Sequence, residues 1–215
     1  MRQDPTVGKR SLGIATALLG LVVFAGLAWA AGSAFMTGGG VWTEVSGIDH
    51  VFTRDYAPNS SKEGLHGFTV TESADDPYSV ELHMLKLCSQ DCPRRESNHL
   101  RFDHPGALTF QDWTVKADED RFVTAVQVCF NGKEDPTKKK IKGLRVWGAS
   151  IDPEGKLLYE SKYHEKQLNN CTEWRNKVSC PDGKVATGAR AHFVSDRTGF
   201  SGLALWCAAP KKIVE

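Results

Sequence analysis

Two segments of the chain nearly repeat each other. Gly143-Leu144-Arg145-Val146-Trp147-Gly148-Ala149 and Gly202-Leu203-Ala204-Leu205-Trp206-Cys207-Ala208 share one alternation and one placement of Trp. Self-similarity at a fixed period marks a supersecondary unit copied along a chain. The likeness extends upstream. Phe110-Gln111-Asp112-Trp113 precedes Phe122–Val128, and Thr172-Glu173-Trp174 precedes Val185–Ala191, so that Trp113 leads Ala125 by nearly the interval at which Trp174 leads Gly188. A fainter third copy comes first: Phe52-Thr53-Arg54-Asp55-Tyr56, then Gly67 at a similar interval after Tyr56, then a closing strand over Val80–Cys88.

The units read as β-strands. Short alternating or β-branched runs fall at His66–Thr71, Val80–Cys88, Ala107–Phe110, Phe122–Phe130, Gly143–Ile151, Leu157–Tyr163, Val185–Phe193 and Phe200–Ala208. Turn chemistry separates them at Asn131-Gly132, Asp152-Pro153-Glu154-Gly155 and Pro181-Asp182-Gly183. The polar stretch Ser89–His99 reads as a loop. One such unit cannot bury its own inner face, but three around a pseudo-threefold axis can. The expected fold is therefore all-β, a β-prism of three pseudo-repeated antiparallel sheets. A two-sheet sandwich is the competitor, though it requires no such period. The expected organisation is an N-terminal anchor or signal segment over 1–35, a Gly-rich linker over 36–46 and a β domain over 47–215. Repeats within that domain fall near 50–90, 108–151 and 172–209.

Ser11–Met36 carries no charge and follows Arg2, Lys9 and Arg10. Positive flanks remain in the cytoplasm, which places the rest of the chain on the outer side of the inner membrane, periplasmic or extracellular. Ala28-Trp29-Ala30 fits a signal-peptidase site. The apolar run Leu12–Ala31, however, has the length of a membrane span, about 20 residues. A retained single-pass anchor is the favoured expectation, carried by Leu12, Leu19, Val23 and Leu27 with Trp29 at its outer end; cleavage would make the domain secreted. Cys88, Cys92, Cys129, Cys171, Cys180 and Cys207 all follow this segment. An even count outside the cytoplasm favours disulfides. The expected pairs are Cys180–Cys207, tying the last repeat, and then Cys129–Cys171 and Cys88–Cys92 by elimination.

Trp174, Cys180-Pro181-Asp182-Gly183, Gly188 and Gly202–Cys207 resemble the vitelline membrane outer layer protein family, and Gly38-Gly39-Gly40-Val41-Trp42 resembles the Gly-rich start of jacalin-type lectins. The resemblance implies a β-prism and carbohydrate binding, with Asp196 in a loop comparable to the lectin sugar loop.

Motif chemistry is sparse. The chain has no G-x-S-x-G elbow, phosphate loop or dinucleotide fingerprint, and His164-Glu165 fails the H-E-x-x-H pattern at Leu168. No enzymatic activity, cofactor or metal is expected, although His99, Asp103 and His104 form the densest ligand cluster and Glu72, Asp75 and Asp76 the densest acidic one. Removing Arg2, Lys9, Arg10 and Asp4 from 27 basic and 26 acidic residues leaves 24 and 25, a balance with no footprint for nucleic acid. The one basic run, Lys138–Lys140, reads as a solvated hairpin tip. Trp113, Trp174, Trp147 and Trp206 repeat and are expected in the core. Trp42 has no counterpart and is the expected exposed contact, with Asp196, His99 and His104. Two functions fit: a membrane-tethered accessory subunit of a photosynthetic or respiratory complex, or a lectin-like glycan-binding module.

Overall fold

In a computed structural model the structure describes residues 32–73, 76–89, 96–102, 111–135, 138–194 and 199–214. The anchor over 1–31, Cys92, Asp103, His104, Asp75, Asp196 and the expected strand Ala107–Phe110 lie outside the described residues. Seventeen strands follow in chain order among the described residues. They are β1 (Phe35–Thr37), β2 (Val41–Trp42), β3 (Ser46–Gly47), β4 (Phe52–Tyr56), β5 (Glu63–Ser73), β6 (Asp76–Lys86), β7 (Glu96–Phe102), β8 (Gln111–Lys116) and β9 (Phe122–Asn131). After them come β10 (Ile141–Ile151), β11 (Leu157–Tyr159), β12 (His164–Gln167), β13 (Cys171–Trp174), β14 (Val178–Ser179), β15 (Val185–Phe193), β16 (Phe200–Ala208) and β17 (Pro210–Lys212).

Each of three antiparallel sheets is built on one long hairpin: β5–β6, β9–β10 or β15–β16. The first strands of these hairpins, β5, β9 and β15, pack pairwise against one another. Their inward side chains, among them Phe68, Val70, Val126, Val128, Ala189 and Ala191, form one core on the axis of a prism. The strand that opens each repeat does not join its own hairpin. Instead β4 pairs with β15, β8 with β5, and β13 with β9, so every repeat lends a strand to the neighbouring sheet around the axis.

The third copy is explicit in the ladders. Each central hairpin carries one extra residue in its first strand, at His66, Thr124 and Thr187, which recur at nearly even spacing along the chain. The residue after each bulge faces a matching partner: Gly67 faces His83, Ala125 faces Trp147, and Gly188 faces Trp206. A Cβ on Gly67 would come within 2.4 Å of the Val115 carbonyl oxygen, and one on Gly188 within 2.0 Å of that of Tyr56. The borrowed strand thus crosses too closely for a side chain.

Three expectations change. Glu96–His99, within the expected loop Ser89–His99, belongs to the outer strand β7, paired to β6 through backbone hydrogen bonds that do not depend on apolar alternation. Residues 36–46 are not linker: β1 pairs with β17, while β2 and β3 both pair with β16 and complete the third sheet. Only Trp113 of the four repeated tryptophans enters the core, 3% exposed. A bulge between Cys171 and Glu173 puts Trp174 on the outer face, because a one-residue slip exchanges the two faces of a strand. Trp147 and Trp206 lie outward and half-buried.

The hairpin tips meet at one end of the prism. Lys140 on the second tip bonds Asp76 on the first, and a Cβ on Gly199 of the third would touch Lys140 at 3.0 Å. The opposite end is closed by a second cluster of Phe35, Leu87, Phe122, Ile151, Leu157 and Val185. Disulfides join Cys129 to Cys171 and Cys180 to Cys207, as expected. No helix among the described residues is long and apolar enough to cross a membrane.

Candidate functional site

The outer faces of the sheets show what the copies share. Trp206 stands opposite Trp42 on β2, with ring centroids 5.0 Å apart. Trp147 meets Tyr163, just before β12, at 5.4 Å. His83 stands opposite His99 on β7. Trp42 therefore has counterparts in Tyr163 and His99, contrary to expectation. The relation is invisible in the sequence because β2 lies before its hairpin and β7 and β12 lie after theirs.

Two positions before each of these hairpin residues the copies differ in size: Glu81, Arg145 and Ala204. On the second sheet Arg145 fills the outer face, stacked 4.6 Å from the Tyr163 ring and 3.8 Å from that of Trp174, and bonded to Glu165. Lys177 covers the Trp147 ring at 4.1 Å, and burial lowers its ammonium pKa below the usual lysine value. On the third sheet Ala204 leaves the equivalent space open.

That space is a groove of about 400 Å³, within the range of small-ligand sites. Trp42, Glu44, Asp49, Arg190 and His192 line it above the Ala204 floor. The chain creates the outer wall by pairing with β16 twice, at Trp42 and at Ser46–Gly47, so that Thr43–Val45 arches between. Thr43 ties the arch down: its amide donates to the Leu205 carbonyl, and its Oγ1 accepts from the Leu205 amide, both at 2.9 Å. Gly40 passes directly over the Trp206 indole, where a Cβ would lie 2.7 Å from the ring. Gly47, at φ 108°, makes the bend that carries the chain off the sheet.

The polar groups are ordered. The Arg190 guanidinium lies 4.3 Å over the Trp42 ring and is held by Asp55 at 3.0 Å. His192 is 2% exposed; its Nδ1 lies 2.9 Å from the His50 carbonyl oxygen and 3.1 Å from Asp49 Oδ1. Both neighbours are acceptors, which assigns the proton to Nδ1. Burial pushes the imidazole below the usual histidine pKa, against the His50 carbonyl and the Asp49 carboxylate, which favour the charged form; Arg190 adds to the lowering. Glu44 and Asp49 stay exposed. The groove thus presents an aromatic wall, one fixed cation and two solvent-facing carboxylates that accept hydrogen bonds.

Of the other expected contact residues, His99 sits on β7 of the first sheet and not on the groove's sheet, and Asp196 and His104 lie outside the described residues. The two described members of the acidic cluster are spent within the fold: Glu72 is buried with Lys142 and Trp113, and Asp76 pairs with Lys140. The basic tip is likewise paired, Lys138 with Asp135 and Lys139 with Glu173. Hydrogen bonds from Lys139 and Arg175 hold the Glu173 carboxyl below its usual pKa. Sequence reasoning missed Glu44, Asp49, Arg190 and His192. Their signal was the small residue at Ala204, where the sister strand has Arg145.

No protein family profile matches the chain, and no curated protein does. Solved structures similar to it include Calystegia sepium agglutinin, at 9% identity and TM-score 0.48 over 78% of this chain and 95% of that one. Calsepa lectin in complex with a biantennary N-glycan is similar at 8% identity and TM-score 0.47, over 81% and 97%. A single-chain recombinant jacalin is similar at 6% and 0.47, over 79% and 94%.

Proposed function

We propose that the protein is a non-enzymatic, glycan-binding β-prism module, exported and held at a membrane by its uncharged N-terminal segment. The observation that carries the binding reading is the groove over Ala204. An aromatic wall beside exposed carboxylates matches the two faces of a sugar, whose C–H surface packs on aromatic rings and whose hydroxyls donate to carboxylate oxygens. The location rests on Arg2, Lys9 and Arg10 before the uncharged run Ser11–Met36 and is supported by two disulfides. No observation on the described residues favours the accessory-subunit alternative.

The test is a glycan array probed with the full-length protein in mild detergent, followed by calorimetry on the best oligosaccharide. Ala204→Arg is expected to abolish binding while leaving the fold intact, because Arg145 already occupies the equivalent position on the second sheet. Trp42→Ala is expected to weaken binding by roughly 2- to 12-fold, the equivalent of about 0.5–1.5 kcal/mol for an aromatic contact. Absence of binding to every glycan at concentrations that reveal millimolar affinity, or binding that survives Ala204→Arg, overturns the reading. Carbonate extraction checks the tether, which fails if the protein leaves with the soluble fraction.

A further inference from the structure

We propose that Asp118, Glu160 and His164 form a site for a divalent transition metal of the zinc class at the edge of the second sheet, with one coordination position open to solvent. The three come from separate places: Asp118 from the β8–β9 connection, Glu160 from the bend after β11, and His164 from the start of β12. One ligand atom from each lies within 4.8 Å of the other two. His164 Nε2 is 3.5 Å from Asp118 Oδ1 and 3.6 Å from Glu160 Oε2. Both distances exceed a hydrogen bond, and one ring nitrogen carries at most one proton for two oxygens. Two of the three ligand–ligand edges are instead close to those around a shared cation, and the third lies within 4.8 Å. Zinc bonds of about 2.0–2.1 Å in a tetrahedron set ligand–ligand edges of about 3.3–3.4 Å.

The surroundings hold the carboxylates in this attitude. Arg121 Nε lies 2.7 Å from Glu160 Oε1 and 3.9 Å from Asp118 Oδ2, the oxygens turned away from His164. The Gly148 amide donates to Glu160 Oε2 at 3.1 Å, and a Cβ on Gly148 would lie 2.9 Å from that atom, so this oxygen is fixed against the backbone. Orientation of ligands by such outer partners is what metal sites require. The Glu160 side chain is 7% exposed, whereas those of His164 and Asp118 are 32% and 61% exposed, which gives the metal its entry and its open position. Arg121 offsets part of the carboxylate charge, so the site is of modest affinity. The proposal is independent of the glycan reading, since the groove lies on the third sheet.

The experiment is a cobalt titration of the untagged full-length protein in detergent, followed visibly by the d–d bands of cobalt and then reversed with zinc. One equivalent of cobalt, displaced by zinc, is expected. His164→Asn and Asp118→Asn, both at accessible positions, should each weaken binding at least about tenfold, the scale on which even outer-shell changes act. Glu165→Gln, next to the triad but paired with Arg145, should leave binding unchanged. No binding of either metal at millimolar concentration overturns the proposal. So does equal affinity in the native protein and His164→Asn, which would mark adventitious surface binding.

Discussion

The charged pair inside the prism offers the sharpest test of how the sheets are joined. Lys142 Nζ lies 3.1 Å from Glu72 Oε2, with side chains 0% and 5% exposed, and Trp113 Nε1 donates to Glu72 Oε1 at 3.2 Å. The pair joins β10 of the second sheet to β5 and β8 of the first. Glu72→Leu takes the carboxylate from the buried Lys142 ammonium. Its penalty cannot much exceed the cost of neutralising an ordinary lysine at pH 7, about 4.6 kcal/mol for a reference pKa of about 10.4. Lys142→Met leaves a carboxylate, with a matching ceiling of about 3.7 kcal/mol for a reference pKa of about 4.3, reduced because the Trp113 N–H still serves it. Both ceilings agree with the roughly 3–5 kcal/mol observed when one partner of a buried pair is removed. The double variant Lys142→Met/Glu72→Leu removes both charges and takes the carboxylate acceptor from the Trp113 N–H, a cost of about 1–3 kcal/mol. Equilibrium urea unfolding followed by tryptophan fluorescence measures all three. A loss of about 4 kcal/mol lowers the midpoint by about 1.6 M for a slope of about 2.5 kcal/mol/M. The double variant is expected to be more stable than Glu72→Leu alone. If it is instead as unstable as the two single losses added, the pair is a packing element, and the charge argument is refuted.

Gly188→Ala should detach β4 from the third sheet and lower stability by several kcal/mol on the same assay, because its Cβ would sit 2.0 Å from the Tyr56 carbonyl oxygen; a loss under about 0.5 kcal/mol, the range of ordinary surface changes, would contradict the close crossing. Reduction of Cys180–Cys207 and Cys129–Cys171, which are separated by 27 and 42 residues, should cost about 3.5 and about 4 kcal/mol respectively on the loop-entropy estimate, and paired serine variants compared with the oxidised protein check each. His192 contributes stability that is fully present above the unfolded histidine value near 6.5 and is lost as pH falls through its lowered folded value; His192→Gln should flatten the stability profile below about pH 6.5, and an unchanged slope would exclude His192 as the source.

The architecture was legible where a residue had one physical reason to be where it is. The bulges at His66, Thr124 and Thr187 and the close crossings at Gly67 and Gly188 place the repeats in register, and Gly155 and Gly183 take positive φ in the turns read from Pro-x-Gly chemistry. What failed did so at strand edges. Trp174 was read by its spacing, but a bulge reverses its face; Glu96–His99 carries no apolar residue because its strand identity comes from β6; and Gly40, in a run that looks like linker, is where the chain crosses Trp206 without a side chain. The groove was not legible for a related reason. It is made by residues 42–49 folding onto a hairpin near the far end of the chain, a pairing that no local pattern encodes.

This topology also bears on orientation. The first and second sheets take their outer strands, β7 and β12, from the chain that directly follows their own hairpins, whereas the third takes β2 and β3 from the start of the domain. Those residues stand outside the repeats, and it is on this sheet that Ala204 leaves the outer face open where the second sheet has Arg145. The same start ties the domain to whatever precedes it. Phe35 opens β1 against Lys212 and packs with Ile151, Leu157 and Val185 at the end opposite the hairpin tips. A tether leaving from there would hold that end toward the membrane and direct the tips outward. The groove, running along β16 from Trp42 toward Asp49, would then lie along the side of the prism, within reach of chains that project from the same surface.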